Sequence, residues 1–446
     1  MSRTHDMTTG SITKQMLMFS LPLILTNIGQ QFYMIVDAAI VGRGVGVKAL
    51  ASVGSADWIY WLVLWTVCAF TNAFSTFIAR SFGEKDFEKL SKTLSMSIVL
   101  SAVLGIVLTV AGLVASRPVL ELLKTPADII DGAEMYLVTM ISGTLVVVAY
   151  NLVASVLRAF GDAKTPLVAM IIAALLNVGL DLLFVLVFRW GIFGAAFASI
   201  LSQLVSFIYC FFCMKKIEYI NIGKSMWELD CTILRELTMF ATPISIETIV
   251  ISLGGIILQA TINEQGSVFV AGYTAVNKLY GLLECTAISL GTAFLTFFAQ
   301  NYGAREYDRV RRGVRSAFLM SVVAASIVGS VVYLFGKQLV GIFLDRSMEG
   351  AIEAIEVAWH YLRFMVSCMS ILYLIYVYRK VLQGMGNAFW SMLSGVAECV
   401  IRVGMGGLVA GGLSTEILYY IEPSAWLGAL LFVAIPYYFV KKDYLA

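Results

Sequence analysis

Long apolar runs without a charged residue alternate with short charged connections along the chain. Eight such runs hold 17 or more residues each, and a hydrocarbon core of roughly 30 Å needs about 20 helical residues. Four further apolar stretches contain one to three ionisable residues, around Asp181, Glu247, Arg363 and the pair Glu398 and Arg402. The pattern therefore predicts twelve membrane-spanning helices. The uncharged runs are 15–36, 58–79, 98–116, 136–157, 191–214, 285–304, 316–336 and 424–440.

The charged and turn-forming connections between these runs set approximate limits for the helices. Every predicted element is helical, so the expected fold is an all-α membrane protein with twelve transmembrane helices. The predicted helices are 14–40, 50–80, 92–116, 130–157, 165–188, 191–214, 234–262, 268–302, 314–336, 352–378, 389–412 and 414–440.

The two halves of the chain repeat short motifs at nearly the same distance. FSTFIARSFG at 74–83 and FLTFFAQNYG at 294–303 agree at five of ten positions, 220 residues apart. Duplication of a helical membrane unit is typical of secondary transporters, which bind substrate between two homologous lobes. The other paired segments are MFSLP (18–22) with MFATP (239–243), and LRAFGDA (157–163) with LQGMGNA (382–388).

Lysine and arginine are distributed unevenly between alternate connections. The two ends and the even-numbered connections hold 21 of the 31 basic residues, and the odd-numbered connections hold seven. Cytoplasmic loops carry the excess of positive charge, so we expect a multi-pass cell-membrane protein with both termini in the cytoplasm. Six helices per repeat bring the second repeat in from the same side, which predicts two parallel repeats. The predicted domains are an N-lobe at 1–214, a cytoplasmic linker at 215–233 and a C-lobe at 234–446.

Composition excludes several classes of protein. The chain is 59% hydrophobic and 13% charged, whereas soluble domains carry roughly 25% charged residues. Seven scattered cysteines and two histidines predict neither a disulfide framework nor a zinc site. No HExxH, GxSxG or P-loop spacing occurs, which argues against an enzyme. Because the basic residues form no single patch, we expect the lipid bilayer, and no nucleic acid, as a partner.

Polar side chains recur at helical spacing on predicted helices of the first lobe. Asp37 and Asp181 lie near the outer ends of two helices that run in the same direction, so we expect them at one depth. Carboxylate, amide and hydroxyl oxygens suit a hard cation, and two carboxylates in a water-poor site equally favour a bound proton. A polar network that only locks helices together is the structural alternative. The other members of this predicted polar chamber are Gln30, Tyr33, Asn151, Asn177, Ser199, Ser202, Gln203 and Ser206.

The second lobe carries further ionisable residues inside its predicted helices. Glu247 and Glu284 fall near mid-depth on neighbouring helices, where like charges would share a proton or Lys278 would neutralise one of them. Lys278 and Glu284 are six residues apart and so lie on different helix faces, which argues against a direct pair. Glu398 and Arg402 are four residues apart in the favourable order, so we expect them to neutralise each other.

Two prolines occupy matching positions in the repeats. Pro22 and Pro243 lie inside the first helix of each repeat, where proline removes a backbone hydrogen bond and is expected to kink the helix. Bending of the first helix would link occupation of the Asp37 site to substrate release. A static kink is the alternative.

Four segments resemble the multidrug and toxic compound extrusion (MATE) transporters, and the resemblance covers nearly the whole chain. It implies a two-lobed, V-shaped bundle that exports organic, often cationic, compounds in exchange for Na⁺ or H⁺. It also implies cation coupling, including a Na⁺ site, at Asp37, Asn177, Asp181 and Ser199. The segments are QQFYMIVDAAIVGR (30–43), the two F-x-T-F-x-A-x-x-x-G segments, LRAFGDAKTP (157–166) and NVGLDLLFV (177–185).

The sequence thus predicts a secondary active antiporter that exports small organic molecules by alternating access. The alternative is a lipid-linked oligosaccharide flippase of the same superfamily, which would line its cavity with several arginines. Here only Arg402, Arg363 and Lys278 qualify, against five or more intramembrane acids, so the charge favours cationic cargo. We expect a monomer without a cofactor. H⁺ and Na⁺ remain alternative coupling ions because their sites use the same residue types.

Overall fold

The computed structural model of the chain describes residues 4–220, 224–341 and 350–444. Fourteen α-helices and no strand occur within these ranges. The first half contains α1 (Ile12–Gly44), α2 (Val47–Glu84), α3 (Phe87–Leu122), α4 (Ile130–Ser142), α5 (Thr144–Ala159), α6 (Lys164–Asp181) and α7 (Gly191–Met214). The second half contains α8 (Cys231–Asn263), α9 (Ser267–Gly303), α10 (Tyr307–Gly341), α11 (Ala351–Ser367), α12 (Met369–Gly384), α13 (Phe389–Ala410) and α14 (Ile421–Tyr444).

The described helices account for the predicted membrane spans. Ten of them are long and apolar enough to cross a bilayer, and the number rises to 12 if each of two bent pairs is one span. The bent pairs are α4 with α5 and α11 with α12, and each bends by 48°. The predicted helices 130–157 and 352–378 are therefore each broken, at Gly143 and Cys368, which the sequence did not indicate. The predicted all-α membrane fold is otherwise confirmed.

Short irregular turns extend two of the predicted helices. Helix α6 continues into a π-helical turn at Leu182–Val187, immediately after Asp181. A 3₁₀ turn at Thr415–Tyr420 precedes α14, so the predicted helix 414–440 begins as a different helix type. Residues 221–223 of the predicted linker, and Arg3 and Arg346 of the charge count, lie outside the described residues.

The chain divides into two compact units. Unit 1 comprises residues 1–6 and 21–242, and unit 2 comprises residues 7–20 and 243–446. The divisions within α1 and α8 fall beside the two matched prolines, Pro22 and Pro243. The N-terminal part of α1 thus belongs to unit 2 and the rest of α1 to unit 1. The N-terminal part of α8 belongs to unit 1 and the rest of α8 to unit 2.

Helix packing in unit 1 recurs in unit 2. In unit 1, α2 packs against α4 and α5, α3 against α5, and α6 against α7. The corresponding helices of unit 2 make the same pairs, with α9 against α11 and α12, α10 against α12, and α13 against α14. The shared packing scheme and the two equal bends support the duplication that the repeated motifs predict.

The repeated motif of α9 binds the N-terminal segment in unit 2. The Met7 side chain is fully buried, and its backbone NH donates to Gln300 Oε1 at 2.9 Å. Its carbonyl accepts from Asn301 Nδ2 at 3.1 Å and from Arg309 Nη2 at 2.9 Å. Buried backbone groups need such partners, so the Gln-Asn pair of the motif anchors the chain ahead of α1.

Candidate functional site

A polar pocket lies within unit 1, bounded by helices α1, α5, α6 and α7. Its empty volume is about 350 Å³, a value that includes open solvent. The i, i+3 spacing of Gln30 and Tyr33 turns both toward the pocket, and Ser199, Ser202 and Gln203 line it from α7. The polar lining residues are Gln30, Tyr33, Tyr150, Asn177, Ser199, Ser202, Gln203 and Ser206. Most of the predicted polar chamber therefore surrounds one space.

Asp37 and Asp181 meet beside this pocket. Asp37 on α1 is half-buried and Asp181, the last residue of α6, is fully buried. Their carboxyl groups lie within hydrogen-bonding range of each other, and both interact electrostatically with Tyr33 of the pocket. A carboxylate accepts but cannot donate, so two of them this close require a shared proton or a cation. This contact is consistent with the expectation that Asp37 and Asp181 lie at the same depth.

Several buried oxygens around the Asp37–Asp181 pair lack a donor. The Asn177 amide donates weakly to Ser199 Oγ, at 3.4 Å from Nδ2. Buried acceptors normally have hydrogen-bond partners. Unsatisfied oxygens on two carboxylates and two amides are the ligands that a proton or a hard cation requires. The unpartnered atoms are Asp37 Oδ1, Asn177 Oδ1, Asp181 Oδ1 and Oδ2, and Gln203 Oε1.

Asn151 does not belong to the pocket, contrary to the sequence prediction. Its Nδ2 donates to the carbonyl of Val147 one turn earlier, at 2.8 Å, and its Oδ1 lies 3.4 Å from the Cys68 sulfur of α2. Tyr150 lines the pocket in its place. Consecutive helical residues point about 100° apart. The predicted rotation of α5 about its axis was therefore off by one residue, and it turned Asn151 toward the pocket in place of Tyr150.

The sequence reasoning missed a third carboxylate near the pocket, Asp57 of α2. It interacts electrostatically with Tyr33, Tyr60 and Tyr136. Its position directly before the uncharged run 58–79, in a segment where carboxylates are rare, was the signal that could have identified it.

A buried ion network joins four helices of unit 2. The predicted pair of Glu398 and Arg402 is confirmed, with Glu398 Oε1 2.8 Å from Arg402 Nη2. Arg402 also makes two hydrogen bonds to Glu422, at 3.1 and 2.8 Å, and Arg379 Nη2 lies 3.0 Å from Glu398 Oε2. Arg379 Nε lies 3.2 Å from Glu247 Oε1. Glu247, Arg379, Glu398, Arg402 and Glu422, hereafter the ion network, therefore alternate in charge.

The sequence placed Arg379 in the connection after the predicted helix 352–378, and that helix boundary was wrong. Arg379 lies inside α12, where it is 7% exposed. Helix α12 runs to Gly384, six residues past the predicted end at 378, because the apolar pattern continues through Val381 and Leu382. Arg379 is thus a buried structural cation of unit 2.

Glu247 and Glu284 do not form the proton-sharing pair that was considered. The Glu247 carboxylate is occupied by Arg379 and by Ser391 Oγ, which donates to Oε2 at 2.6 Å. Glu284 accepts from the Tyr376 hydroxyl at 3.0 Å. Lys278 is exposed and makes no ion pair with Glu284 within the described chain. Glu247 and Glu284, on the consecutive helices α8 and α9, thus have different partners.

Pro22 and Pro243 lie inside uninterrupted helices, α1 and α8. Each proline lacks a backbone NH, so the carbonyl four residues earlier loses its helical donor. Bending at these positions remains a prediction.

Comparison with known proteins identifies relatives along nearly the whole chain. The family model described as MatE matches residues 22–183 and 243–406. The "Probable multidrug resistance protein YpnP" of Bacillus subtilis strain 168 is 30% identical over 347 residues, 77% of each chain. The "Probable multidrug resistance protein YoeA" of the same strain is 26% identical over 454 residues, 98% of this chain and 96% of its own. A crystal structure of MATE in the bent conformation, 20% identical, matches with a TM-score of 0.89 over 99% of this chain and 98% of that chain.

Proposed function

This chain belongs to the MatE family of membrane transporters, and on that basis we propose that it exports small organic cations from the cell in exchange for H⁺ or Na⁺. The names of two relatives, each "Probable multidrug resistance protein", support efflux of several compounds. We further propose that it resides in the cell membrane with both termini in the cytoplasm. The ion exchange and the class of cargo rest on the chemistry of unit 1.

The contact between the Asp37 and Asp181 carboxyl groups carries this proposal. Asp181 is fully buried, and neither of its oxygens has a hydrogen-bond donor within the described chain. Two carboxylates and the Asn177 amide would hold a proton or a dehydrated Na⁺ between α1 and α6. Loss of that ion would leave two like charges in contact, which favours separation of the helices. Ion binding and helix position would then be coupled.

The alternative flippase function gains no support from unit 2. Its two buried arginines, Arg379 and Arg402, are each committed to carboxylates of the ion network. A pyrophosphate would have to compete with three glutamates for them. The ion network holds three carboxylates and two guanidinium groups, so it favours an organic cation over a pyrophosphate as cargo.

Transport by the purified protein in liposomes tests the proposal. Ethidium export is measured with an imposed Na⁺ gradient and, separately, with an imposed proton gradient. We expect one gradient to drive export, and an ionophore that collapses that gradient should abolish it. Protein-free liposomes give the background rate. Export at background under both gradients, for ethidium and for tetraphenylphosphonium, would contradict the proposal.

A further inference from the structure

Glu284 differs from the other membrane carboxylates of unit 2. Glu247, Glu398 and Glu422 each form an ion pair with a buried arginine. Glu284 makes no ion pair within the described residues. It accepts a hydrogen bond from the Tyr376 hydroxyl at 3.0 Å, and it interacts electrostatically with Tyr280. A neutral donor orients a carboxylate without compensating its charge, so Glu284 has no cationic partner within the described residues.

Tyrosines of two helices lie near this carboxylate, and a tryptophan of a third helix packs on one of them. Tyr280 lies one turn before Glu284 on α9, and Tyr376 comes from α12. Trp426 of α14 stacks on Tyr280, with ring centroids 6.0 Å apart and an interplanar angle of 17°. Trp426 is fully buried, and its indole NH has no acceptor within the described chain. Gly291 leaves room for Tyr376, because a Cβ there would lie 3.1 Å from the Tyr376 ring.

A carboxylate within aromatic rings selects a particular kind of cation. Ring faces attract cations, and the attraction grows when the cation is poorly hydrated. Na⁺ prefers several oxygen ligands, and here one carboxylate and one hydrogen-bonded phenol oxygen are present. No group of three His, Cys, Asp or Glu residues that could hold a metal occurs in the described part of the chain. The surroundings therefore suit an organic cation better than a metal ion.

We propose that Glu284, Tyr280 and Tyr376 form a subsite in unit 2 that binds the cationic group of an organic substrate. Glu284, Tyr280 and Tyr376 are each half-buried, so they are accessible at the margin of the core. The subsite shares no residue with the Asp37–Asp181 site in unit 1, so one unit binds the coupling ion and the other binds the cargo. This inference rests on the proposed export of organic cations.

Equilibrium binding of tetraphenylphosphonium to the purified full-length protein tests the subsite. Glu284→Gln keeps the size and loses the charge, and it should weaken binding by about tenfold or more. Tyr376→Phe keeps the ring and should retain most of the affinity, whereas Tyr376→Leu should weaken binding about three- to thirtyfold. Glu264→Gln, at an exposed position between α8 and α9, makes the same charge change and should leave affinity unchanged.

The outcomes separate this inference from the proposed function. Wild-type affinity in Glu284→Gln would overturn the subsite, as would equal binding by Tyr376→Phe and Tyr376→Leu. A Glu284→Gln protein that binds normally but transports with an altered pH dependence would mean that Glu284 carries protons, which also overturns the subsite. If the wild type exports in liposomes while Glu284→Gln binds normally, only the subsite fails. If the wild type does not export, the proposed function itself fails.

Discussion

Arg402 holds two carboxylates in the interior of unit 2, and its removal should destabilise the protein. In Arg402→Met, Glu398 keeps Arg379, but Glu422 loses both of its hydrogen bonds from Arg402. Breaking a buried ion pair from one side costs about 3–5 kcal/mol, because the remaining charge is left uncompensated. We expect a clear fall in the thermal unfolding midpoint of the purified protein.

Two double variants distinguish the ion network from an isolated pair of Glu398 and Arg402. Arg402→Met with Glu422→Gln should recover much of the lost stability, because the unpaired carboxylate is neutralised. Arg402→Met with Glu398→Gln should recover less, since Glu422 stays unpaired. Lys278→Met removes an exposed cation from the same unit and should change stability by less than about 0.5 kcal/mol. Equal recovery by both double variants would contradict the network.

Contacts within one helix were predictable at the residue scale, and contacts between helices were not. The Glu398 and Arg402 pair follows from four-residue spacing alone. Arg379 could not be assigned to Glu247 or Glu398, because that contact depends on the rotation of α12 against α8 and α13. The exchange of Asn151 for Tyr150 has the same origin. The proximity of Asp37 and Asp181 was predictable because both are ionisable residues near the same end of apolar helices that run in the same direction.

The breaks in α4–α5 and α11–α12 were not predictable at the element scale. Hydrophobic residues continue through both breaks, so the pattern indicated single helices. The break at Gly143 lies against α7, where a Cβ would lie 2.6 Å from Ile200 Cγ1. Close approach of two helices thus requires glycine at this position, and only the neighbouring helix explains it.

Gly143→Ala should therefore destabilise unit 1. The added methyl group overlaps Ile200, and such overpacking costs typically 1–3 kcal/mol. In an Ile200→Ala background the same change should cost much less, because the overlapping atoms are gone. Thermal unfolding of the four proteins of this cycle measures the difference. Gly179→Ala, where a Cβ would meet nothing within 4 Å, is the matched control and should be neutral or slightly stabilising. An equal cost of Gly143→Ala in both backgrounds would contradict the packing explanation.

At the scale of the whole molecule, the duplication was predictable from repeated motifs and the division into units was not. Three pairs of short segments located the repeats, and the matched helix packing agrees with them. The assignment of residues 7–20 to unit 2 depends on Gln300, Asn301 and Arg309, which lie almost 300 residues further along the chain. No local pattern reports contacts of that separation.

The proposed orientation predicts that Cys231 faces the cytoplasm. Cys231 is exposed at the start of α8, within the predicted linker at 215–233. A membrane-impermeant maleimide should not label it in intact cells and should label it after permeabilisation. Glu264→Cys in a Cys231→Ser background places the thiol at the other end of α8, and it should react in intact cells. Labelling of Cys231 in intact cells would reverse the orientation.

Coupling through the two acidic residues of unit 1 is tested most directly by gradient-driven ethidium export from liposomes containing Asp37→Asn, Asp181→Asn or both. Each asparagine keeps the size of the side chain and removes the charge that would hold the ion. We expect each single variant to lose gradient-driven export while keeping the wild-type unfolding temperature or a higher one. The double variant should be no worse than either single variant, because the two carboxyl groups act as one unit. Export at the wild-type rate by either single variant would contradict the role of the Asp37–Asp181 contact.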